Sequence, residues 1–503
     1  MKIADRRVKI VATVGPASNS QEMIQKLIEA GVNVFRLNFS HGSHEEHFQA
    51  IKYIRSASQE LSTPVAILQD LQGPKIRVGK LVGGKMLLES GSTVVLTTRK
   101  VSGENNVIPT DFEELPASCR PGQKILLDDG LLELKVLSVK QSDVECRVVY
   151  GGELKDRKGI NIPGANLKVE CLTEKDLVDL YFGLKHGVDY IALSFVRKGE
   201  DIRQLRTLID EAGGFANIVA KIEMYEALEN LNDIVQLSDA VMVARGDLAV
   251  EVGQSLLPGY QKEIIELSNT IGKPVITATQ MLDSMVNNPR PTRAEVTDIA
   301  NAVLDGSDAL MLSAESASGK YPIKCVETMG EIIGEVERTG KYYYRVNYEH
   351  EFFSIAEAIA AGSCLSALKL NASAIVCLTT TGKTARLISS FRPKCQILAV
   401  THLLPTLNRL ELVWGIQTLQ IDPYNSSDEA MERIEGMLLQ FRLVKPGDRV
   451  ILTMGLPILE QGTTNSLRVY TVRKLRLAEL SNSELPVRFR RLAVDTDAEG
   501  VSS

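Results

Sequence analysis

Polar and charged side chains recur where short apolar runs of this chain end. Arg36, Asn38 and Ser40 alternate with apolar residues, and so do Lys221 and Glu223. In a strand, side chains two positions apart point to the same side, so each group shares one side of its strand. Carboxylate oxygens bind Mg²⁺, whereas Arg and Lys neutralise the charge of a phosphate or an enolate. These residue types therefore suit divalent-metal chemistry on a phosphorylated anion.

More polar residues stand at the ends of other apolar runs, namely Asp70, Asp247, Thr277, Thr279, Ser313 and Glu315. Any one of them is explained equally well as an ion pair or hydrogen bond that holds the fold closed. Taken together they predict one site, because the carboxyl ends of the strands meet at one face of an α/β barrel.

Three histidines, His41, His44 and His47, are spaced by three residues. On a helix they would share one face and could approach a metal together. The intervening Glu45 and Glu46 do not complete the H-E-x-x-H motif of zinc enzymes. We expect a solvated helix start at this position, with a metal site as the alternative.

The sequence TTTGKT follows a strand-like run and precedes a helical pattern. Its residues are Thr379, Thr380, Thr381, Gly382, Lys383 and Thr384. Backbone N–H groups at such a turn, together with a lysine, can hold a phosphate. The loop is not a Walker A motif, because Cys377 stands where the first glycine belongs. We predict a phosphate-binding loop here, with an ordinary turn as the alternative.

The elements that carry these residues alternate between short β-rich runs and amphipathic helical patterns. Three strand-like runs lie between residues 9 and 71, and five more lie between residues 173 and 338. Such alternation is typical of βαβ units and a buried parallel sheet. Eight units predict a (β/α)8 TIM barrel. A doubly wound open sheet is the alternative, because a sequence does not show whether a sheet closes.

The predicted barrel is interrupted by a segment of a different kind. We assign residues 1–72 and 160–340 to the barrel and 73–159 to an inserted module, which shows strand-like alternation with turn signals. Residues 350–485 resume the α/β pattern as a separate open-sheet domain, and residues 486–503 are a polar, loosely held tail.

Composition excludes several classes of protein. Among 503 residues, 57 Lys and Arg face 63 Asp and Glu, so the formal charge is −6, and no block of five or six consecutive like charges occurs. This balance argues against a nucleic-acid partner. Hydrophobic residues make up 44 % of the chain, an ordinary globular value. No apolar run is long enough to cross a membrane, and the N-terminus lacks the pattern of a signal peptide.

The cysteines predict neither a disulfide framework nor a zinc site. They are seven in number and never form C-x-x-C: Cys119, Cys146, Cys171, Cys325, Cys364, Cys377 and Cys395. An odd count without paired spacing is typical of a reducing compartment. We therefore expect a cytoplasmic protein.

Several motifs occur together in a way that resembles one enzyme family. They are ATVGPAS (12 to 18), RLNFSHG (36 to 42), DLQGPKIRVG (70 to 79), KIE (221 to 223), MVARGDLAVE (242 to 251) and the long block TATQ to ESA (277 to 317). The chain resembles pyruvate kinase of the bacterial type, nearly end to end over the predicted barrel. The resemblance implies phosphoryl transfer from phosphoenolpyruvate to ADP, giving pyruvate and ATP in glycolysis. It also implies a β-barrel lid for the insertion, a regulatory C-terminal domain and a homotetramer.

The resemblance implies roles for individual residues. Glu223 and Asp247 are the expected ligands of Mg²⁺ or Mn²⁺, and Lys221 should stabilise the phosphoryl group and the enolate. Substrate contacts are expected from Arg36, Lys221, Ala244, Arg245, Gly246, Asp247 and Thr279. Nucleotide contacts are expected from Asn38, His41, Arg77 and Lys158, and a proton relay through water from Thr279, Ser313 and Glu315.

One departure from the family pattern concerns potassium. The candidate K⁺ ligands implied by the resemblance, Asn38, Ser40, Asp70 and Leu71, are retained. Potassium-dependent members read T-K-G-P-E-I-R after the aspartate, whereas this chain reads L-Q-G-P-K-I-R, with Lys75 in place of the glutamate. The exchange changes the local charge by two units, which matters in a partly desolvated site. We hypothesise that the Lys75 ammonium replaces the monovalent cation.

The resemblance also extends to a loop of the C-terminal domain, and two other functions remain alternatives. The loop from Thr379 to Thr384 resembles the loop that holds an effector's phosphate in activated members, which implies activation by a phosphorylated metabolite. Residues 455 to 465, beside that pocket, depart from the family pattern. A second reading is another phosphoenolpyruvate-using barrel, such as an aldolase or a phosphotransfer synthase. A third reading is a catalytically inactive barrel that serves as a metabolite sensor or a scaffold.

Overall fold

The computed structural model describes residues 6–165, 170–340, 354–457 and 464–473. The predicted tail and most of the segment from 455 to 465 lie outside these residues. The chain begins with three strands and two helices: β1 (Lys9–Thr13), α1 (Gln21–Ala30), β2 (Val34–Asn38), α2 (His44–Glu60) and β3 (Ala66–Asp70). The helix starts follow from capping, since Ser20 caps α1, and Ser43 with Glu46 forms a capping box on α2.

The insertion after β3 is built almost entirely of strands. It contains β4 (Lys85–Leu88), β5 (Thr93–Thr97), β6 (Val107–Pro109), α3 (Leu115–Ser118), β7 (Lys124–Leu127), β8 (Leu132–Lys140), β9 (Asp143–Tyr150), β10 (Gly152–Lys155) and β11 (Ile160–Asn161). These strands form a six-stranded sheet and a separate two-stranded sheet rather than one closed ladder. Their buried apolar side chains form a core apart from that of the barrel.

The α/β rhythm resumes after the insertion. Its elements are α4 (Glu174–Lys185), β12 (Tyr190–Leu193), α5 (Gly199–Glu211), β13 (Asn217–Ile222), α6 (Tyr225–Glu229), α7 (Leu231–Leu237), β14 (Ala240–Ala244), α8 (Arg245–Val252), α9 (Leu257–Ile271), β15 (Val275–Ala278), α10 (Arg293–Asp305), β16 (Ala309–Leu312), α11 (Ala314–Ala317) and α12 (Pro322–Arg338). Between β13 and β14 the sequence pattern predicts one helix that ends at Leu237, but the chain forms two short helices, α6 and α7, which meet at Asn230.

Eight parallel strands close into a barrel in the order β1, β16, β15, β14, β13, β12, β3, β2. Closure depends on β1, which pairs with β2 on one side and with β16 on the other. The predicted barrel is therefore confirmed, and the doubly wound sheet is wrong for this part of the chain. The carboxyl ends of all eight strands consequently open at one mouth.

The last part of the chain forms an open sheet with helices. It contains α13 (Ile355–Leu370), β17 (Ala374–Leu378), α14 (Lys383–Ser390), β18 (Gln396–Thr401), α15 (Leu404–Leu410), β19 (Ile416–Gln420), α16 (Ser427–Gln440), β20 (Arg449–Met454) and β21 (Ser466–Thr471). The strand order is β19, β18, β17, β20, β21, with only β21 antiparallel. This confirms the predicted open-sheet domain. The strand-like runs SAIVCLT, QILAVT, RVILTMG and LRVYTV predict four of its strands, but the sequence pattern predicts neither β19 nor α15.

A buried ion pair joins the open-sheet domain to the amino ends of the barrel strands. Arg392 donates to both carboxylate oxygens of Asp308, at 2.9 and 3.1 Å, and to Asn269 Oδ1 at 2.7 Å. Its guanidinium also lies 4.8 Å from the ring of Trp414, whose backbone N–H donates to Asp308. A lone tryptophan is more often a core or interface anchor than a ligand contact, and the 1 % exposure of Trp414 confirms that expectation.

No helix among the described residues is long and apolar enough to cross a membrane.

Candidate active site

Lys221 occupies the centre of the barrel mouth, near the end of β13. Its ammonium donates to Glu223 Oε1 at 2.9 Å and to Ser194 Oγ at 2.7 Å, and it lies 3.2 Å from Asp70 Oδ1. The lysine is therefore held by groups from three strand ends. Burial alone would lower the pKa of Lys221, but the two carboxylates outweigh burial and raise it. Lys221 is thus a fixed positive charge in a desolvated setting.

Arg36 and Asp70 extend this charged cluster across β2 and β3. Arg36 donates to Asp70 Oδ2 from Nε at 2.6 Å, and to Thr13 Oγ1 at 3.1 Å. Asp70 is 1 % exposed. Burial alone would raise its pKa, yet Lys221 and Arg36 outweigh burial and lower it, which keeps the carboxylate charged. A buried anion between two cations holds both side chains in place.

Glu223 and Asp247 are the candidate metal ligands, and the electrostatics of Glu223 fit a cation. Glu223 is 1 % exposed and accepts a 2.8 Å hydrogen bond from the Phe195 N–H. Burial is the main cause that raises its pKa, and the like charge of Asp247 adds to that rise. Two nearby carboxylates that disfavour each other's charge are stabilised by a divalent cation, for which hard oxygens are preferred ligands.

Lys75 does not approach the candidate K⁺ ligands as the hypothesis supposes. Its ammonium lies 3.4 Å from Asp247 Oδ1 and 3.7 Å from Asp129 Oδ1, so it joins the barrel to the insertion. Both oxygens of Asp70 face Arg36 and Lys221 instead. The extra positive charge therefore sits beside the candidate metal ligand.

The three other candidate K⁺ ligands make local contacts. Asn38 Oδ1 accepts a 3.1 Å hydrogen bond from the Ser40 N–H. The carbonyl of Leu71 accepts from Ser194 Oγ at 2.7 Å. The structure thus brings Asn38 and Ser40 together and connects Leu71 to the Lys221 cluster through Ser194.

The start of α8, directly after β14, contacts the loop that follows β15. Thr279 has a φ of 71°, and its Oγ1 accepts from the Gly246 N–H at 3.0 Å. Arg245 is 9 % exposed and donates to the Thr279 carbonyl at 2.5 Å and to both oxygens of Asp298, at 2.9 and 2.8 Å. Arg245 therefore holds the turn in place, while the backbone that follows Ala244 borders the site.

Thr277 does not share a side with Thr279, contrary to the alternation in the sequence. Strand β15 ends at Ala278, and the positive φ of Thr279 breaks the two-residue repeat. Thr277 Oγ1 instead bonds to Ser307 Oγ at 2.7 Å in the buried interior. This hydrogen bond joins two parts of the barrel, so Thr277 contributes to the packing of the fold and not to the site.

Glu315 accepts backbone hydrogen bonds with both of its oxygens. The Ser313 N–H donates to Oε2 at 2.7 Å, and the Leu282 N–H donates to Oε1 at 3.1 Å. Glu315 is 1 % exposed, whereas Ser313 is partly exposed. The carboxylate therefore ties the loop after β16 to the loop after β15, and Ser313 is the member of this pair that reaches the mouth.

A cavity of about 650 Å³ lies beside this cluster, between β1, β2, α2 and the loop after β16. Arg36, Asn38, His41 and Ser313 line it together with apolar side chains. The volume is that of a typical small-molecule site. Arg36, Asn38 and His41, which were predicted to contact the substrate or the nucleotide, therefore line one cavity large enough for a ligand.

Arg77 and Lys158 come from the insertion and lie near each other. Arg77 pairs with Gly159 in an isolated β-bridge and donates to the Arg157 carbonyl at 3.1 Å. Lys158 pairs with Asp128 Oδ1 at 2.7 Å. Neither cation contacts the Lys221 cluster directly, so both belong to the insertion side of the mouth.

Two residues of the site escaped the sequence-based prediction. Ser194 bridges Lys221 and the Leu71 carbonyl, and Thr13 accepts from Arg36. Both stand at the ends of barrel strands, so the rule that identified Lys221 also pointed to them. Their small neutral side chains gave no charge pattern to single them out.

The three histidines do not form a metal centre. Among the residues that the structure describes, no group of three or more His, Cys, Asp or Glu side chains is arranged to hold a metal. His44 Nε2 bonds to Asp179 at 2.6 Å, and the His47 ring stacks on Phe39. The expected helix start is confirmed, since α2 begins at His44.

The TTTGKT segment is a turn followed by α14. Gly382 has a φ of 81°, and its N–H donates to Thr379 Oγ1 at 2.9 Å. Lys383 and Thr381 are exposed, whereas Thr384 is buried and bonds to Thr464. The carbonyl of Thr380 accepts from a neighbouring threonine hydroxyl. The loop thus presents one exposed cation at the start of a helix.

Comparison with known proteins identifies the family. The barrel-domain model of pyruvate kinase matches residues 5–326, and the model of its alpha/beta domain matches residues 357–470. The chain is 45 % identical over 474 residues to pyruvate kinase 2 of Synechocystis sp., and 43 % identical over 471 residues to a pyruvate kinase of Staphylococcus aureus, covering 93 % of this chain and 80 % of each relative.

A solved structure agrees with these matches. A pyruvate kinase from Cryptosporidium parvum superposes with a TM-score of 0.88 at 35 % identity, covering 93 % of this chain and 97 % of that one. Both segments of the chain and its whole architecture therefore have counterparts in one enzyme family. The chain belongs to the pyruvate kinase family and is a phosphotransferase.

Proposed function

We propose that this enzyme transfers the phosphoryl group of phosphoenolpyruvate to ADP and that the Lys221 cluster performs the transfer. The observation that carries the proposal is the placement of one ammonium within 3.2 Å of Asp70 and Glu223 at the barrel mouth. Phosphoryl transfer requires alignment and charge neutralisation more than covalent help from the protein. A preorganised cation supplies both, because it does not move when charge develops.

Mg²⁺ or Mn²⁺ bound by Glu223 and Asp247 would polarise the transferring phosphoryl group and neutralise its oxygens. Lys221 then stabilises the charge on the phosphoryl group and on the enolate that remains. Arg36 binds phosphate at the other side of Asp70. The backbone from Ala244 to Asp247 orients the three-carbon acid, with Arg245 holding its conformation.

The enolate of pyruvate must gain a proton at carbon, and Thr279 is the proposed positioning group for that step. Its hydroxyl accepts from the Gly246 N–H, which fixes the oxygen beside the acid-binding backbone. Ser313 would continue the proton path through water, and Glu315 fixes the loop that carries Ser313. Exclusion of bulk water favours this step, and the insertion is the proposed lid.

The nucleotide is proposed to lie in the cavity beside β2, with Asn38 and His41 on its wall and Arg77 and Lys158 approaching from the insertion.

For the monovalent cation, we propose that the Lys75 ammonium, near Asp247, supplies the positive charge that K⁺ brings to other members of the family. Asn38, Ser40, Asp70 and Leu71 remain the K⁺ ligands if that cation binds.

A phosphorylated metabolite is the proposed effector, held by Thr379 to Thr384 with Lys383 as its cation. Lys383→Ala should abolish activation by sugar phosphates and AMP while leaving basal turnover intact. Unchanged activation would remove the effector assignment.

We also propose a homotetramer and the domain limits 1–72 with 160–340, 73–159 and 350–485.

The decisive experiment is turnover of phosphoenolpyruvate with ADP and Mg²⁺, followed through lactate dehydrogenase. Rapid pyruvate formation that requires both ADP and the metal supports the proposal. A purified, folded enzyme that forms no pyruvate would favour a sensor or scaffold. Formation of a different product from phosphoenolpyruvate would favour another enzyme of the same barrel class.

A further inference from the structure

One side chain beside the proposed nucleotide cavity has no part in the chemistry described so far. His47 lies one turn into α2, and its Nε2 donates to the His41 carbonyl at 2.9 Å. Its ring stacks on Phe39, with centroids 4.0 Å apart and planes inclined by 13°. His47 thus contacts the start and the middle of the short loop that links β2 to α2.

The same ring packs close to the glycine of that loop. Gly42 has a φ of 79°, and a Cβ at this position would stand 3.4 Å from His47 Nε2. A side chain at position 42 would therefore meet the imidazole at ordinary van der Waals distance. Burial lowers the pKa of His47, although the His41 carbonyl opposes that effect. A neutral ring with its proton on Nε2 matches the observed donor role.

The loop that His47 holds is one wall of the cavity of about 650 Å³. His41, Gly42 and His47 line this wall, and Arg36 lies deeper in the same space. About half of the other lining residues are apolar, among them Pro16 and Ala317, and the rest are polar. A space of mixed character with a cation at one side suits a nucleotide, whose base and phosphates differ in polarity.

We propose that His47 is a positioning residue for the nucleotide, which it serves by fixing the loop that carries His41. The inference rests on the proposed function, since it takes the cavity as the ADP site. His47 itself need not touch ADP. A group that locks a binding loop beforehand reduces the ordering cost of ligand binding, so its loss should weaken ADP binding without slowing the chemical step.

Two substitutions separate the hydrogen bond that His47 makes from the stacking of its ring. His47→Phe retains a ring over Phe39 but removes the donor to the His41 carbonyl. His47→Gln retains an N–H donor but removes the ring. His186→Phe is the matched control, because His186 packs on Phe182 and Phe48 in the neighbouring aromatic cluster and does not line the cavity.

We expect His47→Phe to raise the KM for ADP about fivefold or more, since a lost hydrogen bond of this kind is worth about 1 kcal/mol. His47→Gln should raise it less. The kcat and the KM for phosphoenolpyruvate should stay within about twofold, and His186→Phe should match the native enzyme. Direct ADP binding by calorimetry should show the same order of affinities, and thermal unfolding should verify that each variant is folded.

Several results would overturn the proposal. An unchanged KM for ADP in His47→Phe is one, and an equal rise in both KM values with a lower unfolding midpoint is another, because it indicates a purely structural role. If the native enzyme forms no pyruvate, the proposed function fails separately. Calorimetry with ADP then still decides whether His47 controls nucleotide affinity.

Discussion

The Lys75 ammonium lies 3.4 Å from Asp247 Oδ1, so a lysine of the insertion faces a candidate metal ligand of the barrel. Asp129 Oδ1 is its second partner, at 3.7 Å. The lysine places a positive charge at the boundary between the two modules. Its position suggests that a built-in cation acts at this boundary and not among Asn38, Ser40 and Asp70.

Lys75→Glu should make the enzyme depend on K⁺. The native enzyme should turn over phosphoenolpyruvate equally well with K⁺ or tetramethylammonium, whereas the variant should lose most of its activity until K⁺ is added. The reason is the two-unit change of charge near Asp247 in a partly desolvated site. Lys80→Glu, an exposed exchange in the same insertion, is the control. Strong activation of the native enzyme by K⁺ would contradict the role given to Lys75.

Lys221→Met should lower kcat by about 10²–10³-fold, the range found when one preorganised charge-stabilising group is removed. The KM for phosphoenolpyruvate should change far less, because the remaining cation, Arg36, still binds phosphate. Rapid-quench measurement of a single turnover separates the chemical step from product release. Lys85→Met, a surface exchange in the insertion, controls for the lost charge. A loss below tenfold would rule out Lys221 as the main electrostatic group.

Glu251 predicts a pH-dependent stability. Burial raises its pKa from 4.5 to about 7, and the charges of Glu226 and Asp247 add to the rise, while Asn161 opposes it. The stability that protonated Glu251 contributes is therefore present below about pH 4.5 and is lost as the pH rises through 7. Glu251→Gln mimics the protonated form and should remove that loss.

The thermal unfolding midpoint should thus fall less between pH 5 and pH 8 in Glu251→Gln than in the native enzyme. The difference in free energy of unfolding at pH 8 should be on the order of 1–3 kcal/mol. Glu229 is exposed and lines with Glu251 a second cavity of about 440 Å³, so Glu229→Gln is the control and should follow the native profile. Parallel curves for Glu251→Gln and the native enzyme would argue against a raised pKa.

Arg392→Met should destabilise the junction between barrel and open-sheet domain by about 3–5 kcal/mol, because it leaves Asp308 buried without its cation. Asp308→Asn in the same chain should recover part of that loss, so the double variant should be more stable than the sum of the single effects. Trp414 is the only tryptophan and lies against Arg392, so its fluorescence in urea reports on this junction. Strict additivity would mean that the two side chains are not coupled.

The eight strand–helix units could be predicted because each strand is a short apolar run and each helix has an amphipathic repeat. Closure of the barrel could not be predicted, because the pairing of β1 with β16 joins residues that are 300 positions apart in the chain. Strand β19 was missed because its five residues, IQTLQ, alternate with polar residues and adjoin a helix of only seven residues. The local sequence pattern therefore gave no strong signal for β19 or for α15.

Much of the candidate site followed from one rule, that polar residues at strand ends share the barrel mouth. This rule placed Lys221, Glu223 and Asp70 together correctly. It misjudged Thr277, because it assumed that β15 continued through Thr279, where a positive φ ends the strand. It also could not show that Lys75 turns to Asp247, since a long flexible side chain has no direction in the sequence.

The β1–β16 seam has a consequence for the biosynthesis of this enzyme. A ribosome that adds roughly 5–20 residues per second needs about 15–60 s to pass from Lys9 to Ala309, its partner across the seam. Throughout that interval the nascent barrel keeps an unpaired strand edge, the kind of surface that other chains can join. The insertion has its own apolar core and leaves the ribosome long before β16 does. A partly finished sheet beside a completed insertion is therefore the species that cellular chaperones would meet.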